Sequence, residues 1–205
     1  LEWTKEERLE LVKTMYKTGV SIRSMCLSGH RKYPFGSHDA SVRERSMEIM
    51  EKAIELADDL GIRVIQLAGY DVYYEEGDAD KLEFFIDNLK KATLLAAQKG
   101  IVLGFETMET PFMNTVEKSM RFVNLVDSPY LQVYPDSGNL KNASLEPGAK
   151  NVYEDIELGK GHIVAAHLKE TIPGHYREIP FGTGQIDFKK MVDTFLSIGV
   201  RRFTG

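Results

Sequence analysis

Three apolar runs in this sequence each end in a side chain that can hold a cation or move a proton. Residues 101–106, IVLGFE, close on Glu106, and residues 131–136, LQVYPD, close on Asp136. Residues 162–169, HIVAAHLK, carry His167 and then Lys169. Short apolar runs bounded by glycine or polar residues read as buried strands. A carboxylate at the end of such a strand must be paired, hydrogen-bonded or bound to metal. Two carboxylates and one imidazole form an oxygen-rich, mixed set that suits Mn²⁺, Zn²⁺, Co²⁺ or Mg²⁺. Three protein ligands leave positions open for a fourth ligand and a substrate. Such an ion can steady the charge that develops when a carbon next to a carbonyl loses its proton, or it can activate water.

Each of these residues also has a plainer role open to it. Asp136 precedes Ser137-Gly138-Asn139, where a short acidic side chain commonly caps a turn. His167 could be a satisfied core histidine. His162 sits at a strand entrance, the face of a parallel barrel that serves stability. His30, His38 and His175 lie in loops, where solvation is the default, and Glu109 reads as exposed. Gln66 is polar inside a buried run and needs a partner. Lys169 shares a strand face with His167, since strand side chains alternate with period two. Cys26 reads as a small apolar strand residue.

The elements that must position these groups follow one pattern. Strand-like runs start at about residues 20, 63, 101, 131 and 163, each preceded by a helical stretch. The helices are expected over 4–17, 39–60, 78–99, 113–126, 152–158 and 187–197. Thr4 followed by Glu7 is a capping-box pattern, and Leu9, Val12 and Tyr16 form the first apolar stripe, expected in the core. Residues 20–27 are the first strand, and residues 137–151 are expected as a long loop. Alternation at this spacing predicts a parallel sheet. The connections after the strands are long and polar, while those before them are brief. This asymmetry is that of a (β/α) barrel with its site at the C-terminal ends of the strands. No G-x-G-x-x-G follows the first strand, which weighs against a dinucleotide site.

The 205 residues, 42% hydrophobic and 28% charged, fit a single barrel domain over 1–205. A net charge of −5 argues against a nucleic-acid surface. One cysteine precludes an internal disulfide and suits a reducing cytoplasm. No apolar run reaches the roughly 18–20 residues a bilayer span needs, and no secretory leader is visible. A complete barrel has eight strands in about 250 residues. This chain is therefore expected to lack strands at both ends, to expose two unpaired sheet edges and, taken alone, to be inactive.

The longer motifs resemble one family. SMCLSGHRKYPFGS, IRVIQLAGYDVYYEE, YPDSGNL and GHIVAAHLKET followed by PFGTGQIDF are similar to the L-ribulose-5-phosphate 3-epimerases, also called L-xylulose-5-phosphate 3-epimerases. These belong to the xylose-isomerase-like TIM barrels. The resemblance implies a metal held by Glu106, Asp136 and His167, with Glu106 also an acid/base residue. It places a fourth ligand, a second acid/base Glu, on the final strand, expected just past this chain. The implied reaction is two-base epimerisation at C3 through a cis-enediolate. A phosphorylated sugar needs an anion site, for which His30, Arg31, Lys169 and Arg177 are cationic candidates. Gln66 and Asn139 are further candidates for substrate contact. The implied partner is a small sugar phosphate, with no nucleic acid or membrane, and self-association is left open. Competing readings are an aldose–ketose isomerase of hexulose-6-phosphate type, a metal-dependent abasic-site endonuclease, and a sugar-binding protein without turnover.

Overall fold

A computed structural model describes residues 2–204. Helices and parallel strands alternate along it, and the chain separates into two compact units. The first comprises residues 1–103 and 128–131, the second residues 104–127 and 132–205.

In the first unit, helix α1 is Lys5–Thr18, strand β1 is Ser24–Leu27, α2 is Ala40–Leu60, β2 is Val64–Ala68 and α3 is Ala79–Gln98. A 3₁₀ turn, Ser28–Arg31, follows β1. β1 and β2 pair in parallel with Ser24 opposite Val64 and Leu27 opposite Leu67. Strand β3, Val102–Glu106, starts here, with the Val102 N–H donating to the Arg63 carbonyl at 2.9 Å. Ile49, Met50, Ala53, Ile54 and Ala57 of α2 recur at helical spacing and are buried, as are Phe85, Leu89, Ala92 and Ala96 of α3.

In the second unit, β3 ends at Glu106 and is followed by α4, Val116–Val126. Strand β4, Leu131–Tyr134, begins in the first unit and finishes in this one. Then come α5, Ser137–Ala143; α6, Val152–Glu157; β5, Ala166–His167; α7, Phe188–Ser197; and β6, Phe203–Thr204. β5 pairs in parallel with β6, Ala166 opposite Phe203. A core of Val116, Leu140, Val152, Ile156, Ala166, Ile186, Met191, Phe195 and Val200 underlies this unit.

Several expectations need correction. The first strand begins at Ser24 rather than residue 20, and Val20 is 69% exposed. The capping box forms, with Thr4 N–H on Glu7 and Glu7 N–H on Thr4, but the α1 stripe is not buried. Leu9 is 53% and Tyr16 91% exposed, because a capping signal fixes a helix end and says nothing about what covers its face. Residues 137–143 are helix rather than loop. Residues 113–115 lie outside α4, whose cap is Thr115. The fifth strand is regular over only two residues, flanked by single bridges from Val133 to Ile163 and from Asp136 to His167. A sixth strand starts at Phe203, so the run at residues 163–169 has a parallel neighbour in β6 and is no bare edge. Cys26 is exposed.

Candidate metal centre

The second unit brings Glu106, Asp136 and His167 together, with one ligand atom from each within 4.8 Å of the others. Each arrives by a different local device. Glu106 is the last residue of β3, and Gly104, two residues earlier, shares its face. A side chain at Gly104 would press on Tyr134 Cβ at 3.2 Å and Val164 Cγ1 at 3.4 Å, so this position must stay small.

Asp136 follows β4 and caps α5, its Oδ1 accepting the Asn139 N–H at 2.8 Å. The Asp136 N–H donates to Thr107 Oγ1 at 3.0 Å, and the Asn139 amide donates to the Thr107 carbonyl at 2.7 Å. The Asp136 side chain is wholly buried. His167 ends β5, and its N–H donates to the Pro135 carbonyl at 2.9 Å, which fixes its register against Asp136.

His167 Nδ1 stands 3.2 Å from Glu106 Oε1 and donates to it. It also lies 2.9 Å from Asp136 Oδ2. Asp136 and then Glu106 hold the imidazole proton on, raising its pKa from 6.5 to about 9 against the opposing effect of burial. Lys169 Nζ lies 3.2 Å from the same Asp136 Oδ2. Neither neighbour reaches that oxygen along a hydrogen-bond direction, so Oδ2 is a buried carboxylate oxygen without a directed donor. A buried anionic oxygen of this kind, flanked by a second carboxylate and an imidazole nitrogen, fits a divalent cation.

The other candidates fall in different places. Lys169 and Asn139 join the cluster, Lys169 Nζ donating to Asn139 Oδ1 at 2.7 Å. Arg177 is exposed and donates to Glu109 at 2.9 Å, so Glu109 is an ion-pair partner and not the free surface carboxylate expected. His30, Arg31 and Gln66 belong to the first unit. His30 is buried, donates to the Ser46 carbonyl at 3.0 Å and packs on Phe35 with ring centroids 4.3 Å apart. Burial depresses its pKa to about 4, so it offers no charge to an anion at neutral pH. The Arg31 guanidinium lies over the Tyr73 ring at 4.7 Å. Gln66 is half-buried on β2, opposite Cys26.

Two supporting residues escape a reading by sequence. Glu170 is buried and accepts the N–H groups of Thr171, Gly182 and Ile186 at 3.0, 3.0 and 3.1 Å, pinning the loop after β5. Asp155 is buried and accepts the Val116 and Glu117 N–H groups at the start of α4. Asp155 looks like an ordinary surface carboxylate in the sequence and Glu170 like one of the polar residues closing the fifth strand, and only the fold delivers the donors. Among the described residues no helix is long and apolar enough to cross a membrane.

The family described as Xylose isomerase-like TIM barrel matches residues 1–204. An L-ribulose-5-phosphate 3-epimerase from Shigella boydii is 43% identical over 199 residues, 97% of this chain and 68% of its own length. An Escherichia coli protein of the same name matches at the same identity and coverage. Among solved structures, an L-ribulose 3-epimerase superposes with a TM-score of 0.77 at 23% identity, over 95% of this chain and 64% of that one. A D-psicose 3-epimerase crystallised in the presence of D-fructose gives 0.81 at 18% identity, over 98% and 69%. At these identities the structural likeness establishes the fold.

Proposed function

Because this chain belongs to the L-ribulose-5-phosphate 3-epimerase family of xylose isomerase-like TIM barrels, we propose that it forms the metal-binding part of a ketopentose-phosphate 3-epimerase. The observation that carries this reading is the meeting of Glu106, Asp136 and His167 at the ends of three strands. Those residues would hold a divalent ion, which supplies Lewis acidity towards the carbonyl and hydroxyl oxygens of the sugar.

The chain's own residues divide the remaining work. Glu106 lies at the mouth of the cluster, partly exposed, and takes or returns the C3 proton on one face of the sugar. The resemblance assigns the opposite face to a carboxylate on the final strand. Asp136 is too deeply buried to reach the substrate and serves as an anchor. Lys169, partly exposed, remains a candidate for substrate oxygens, while Asn139 is buried and holds the lysine ammonium. Within the second unit, Arg177 remains the cationic candidate for the phosphate.

The test is turnover of L-ribulose 5-phosphate in D₂O by protein that carries both acid/base carboxylates, followed by NMR. Deuterium at C3 supports the reading. Label at C1 or C2 identifies an aldose–ketose isomerase instead. Cleavage of abasic plasmid would point to an endonuclease, and sugar binding without turnover to a non-catalytic protein.

A further inference from the structure

We infer that Lys169 competes with the metal for Asp136, so that its ammonium holds the affinity of the centre down. This rests on Glu106, Asp136 and His167 being the metal ligands. Asp136 spends Oδ1 on the Asn139 N–H, which leaves only Oδ2 facing the cluster. Lys169 Nζ stands 3.2 Å from that oxygen. Two cations that share one carboxylate oxygen repel each other, and burial weakens the solvent screening between them.

The ammonium is held in place from several sides. It donates to Asn139 Oδ1 at 2.7 Å, and Asn139 is itself tied to the Thr107 carbonyl at 2.7 Å. The Lys169 N–H donates to Ser137 Oγ at 2.9 Å. The aliphatic stem lies against Gly138, where a Cβ would come within 3.0 Å of Lys169 Cε. Gly138 therefore lets the lysine run close along the first turn of α5. This arrangement gives the fully buried carboxylate a second cationic neighbour beside His167, and a buried charge is costly to leave under-compensated. Asn139 gives the ammonium a second acceptor when the ion engages Oδ2. Lys169 thus acts through Asp136, as a positioning residue that tunes the centre.

The experiment titrates Mn²⁺, Zn²⁺ and Co²⁺ into chelator-stripped wild type, Lys169→Met, Lys169→Arg and His167→Ala by calorimetry. Lys169→Met should bind Mn²⁺ roughly 10-fold more tightly, about 1.4 kcal/mol. Lys169→Arg keeps the charge and should stay near wild type. With chelator present, Lys169→Met should melt below wild type, and saturating Mn²⁺ should close the gap. If Lys169→Met does not fold, Lys169→Gln removes the same charge. Unchanged or weaker binding by the neutral variants, with wild type binding and His167→Ala not, overturns the competition alone. Failure of the wild type to bind any of the three ions overturns the metal reading and the competition with it.

Discussion

Asp136 accepts the Asn139 N–H at 2.8 Å through one carboxylate oxygen and turns the other towards His167 and Lys169. One side chain therefore starts a helix and furnishes a ligand. The two duties separate by substitution, since asparagine caps as well as aspartate but carries no charge. Asp136→Asn should keep the cap but melt below wild type in chelator, since His167 and Lys169 lose their buried counter-charge, and should lose more than ~100-fold in Mn²⁺ affinity, because an anionic ligand is gone. Asp136→Ala should lose the metal and, in addition, about 1 kcal/mol of stability through the missing cap. Calorimetric titration and thermal melting together read both effects. Equal stability of the two variants would show that the cap contributes nothing.

Glu106 and His167 should fail in different ways. Glu106→Gln keeps the size and an oxygen donor but cannot accept a proton. Turnover by the enzyme should fall by ~10²–10⁴-fold, the usual worth of a positioned general base. His167→Ala should act through metal affinity, so excess Mn²⁺ restores part of its activity. Steady-state rates across a metal titration distinguish the two, and rescue of Glu106→Gln by metal would remove it from the proton-transfer step.

Glu170 holds the loop after β5 through three backbone donors. Glu170→Ala leaves the Thr171 and Ile186 donors buried and unpaired, which should cost ~2 kcal/mol or more. Glu170→Gln retains acceptor capacity on one atom and should fall between. Hydrogen exchange at Gly182 and Ile186 should quicken in both, more so in the alanine variant. Unchanged protection would mean that the loop is held by other contacts.

His30 predicts the acid limb of the stability curve. Burial lowers its pKa from 6.5 to about 4, so between those values the unfolded chain binds more protons than the folded one. Stability should therefore fall as pH drops through that window, by up to about 3 kcal/mol from this group. His30→Gln keeps a donor for the Ser46 carbonyl and removes the titration. Denaturant melts from pH 7 to 4 should show a shallower decline in that variant, and parallel curves would exclude His30 as a contributor.

Gly138 tests how tightly the ligand helix is packed. A Cβ there would lie 2.5 Å from Thr171 Cγ2 as well as 3.0 Å from Lys169 Cε. Gly138→Ala should destabilise the protein by roughly 1–3 kcal/mol, the usual cost of overpacking, and displace Lys169. A thermal melt equal to wild type would show that the Thr171 methyl can move aside.

The sequence by itself determined the order of the elements and the ends that carry chemistry. Apolar runs broken by glycine and led by helical stripes encode a parallel α/β alternation, because burial on both faces leaves few polar residues within a strand. The same logic marked Glu106, Asp136 and His167, which stand out as polar residues closing apolar runs. The tertiary structure alone decided how those residues are used. That Asp136 would cap a helix was obscured by Ser137-Gly138-Asn139, three residues that favour turns, and the helix exists because Leu140 and Ala143 are buried. That His30 would be neutral and Lys169 would stand beside a carboxylate follows from burial and from distances between residues far apart in the chain. Glu170 and Asp155 became structural only because folding brought backbone donors to them. Local sequence carries periodicity and caps; pairing across more than about ten residues depends on packing, which no local pattern records.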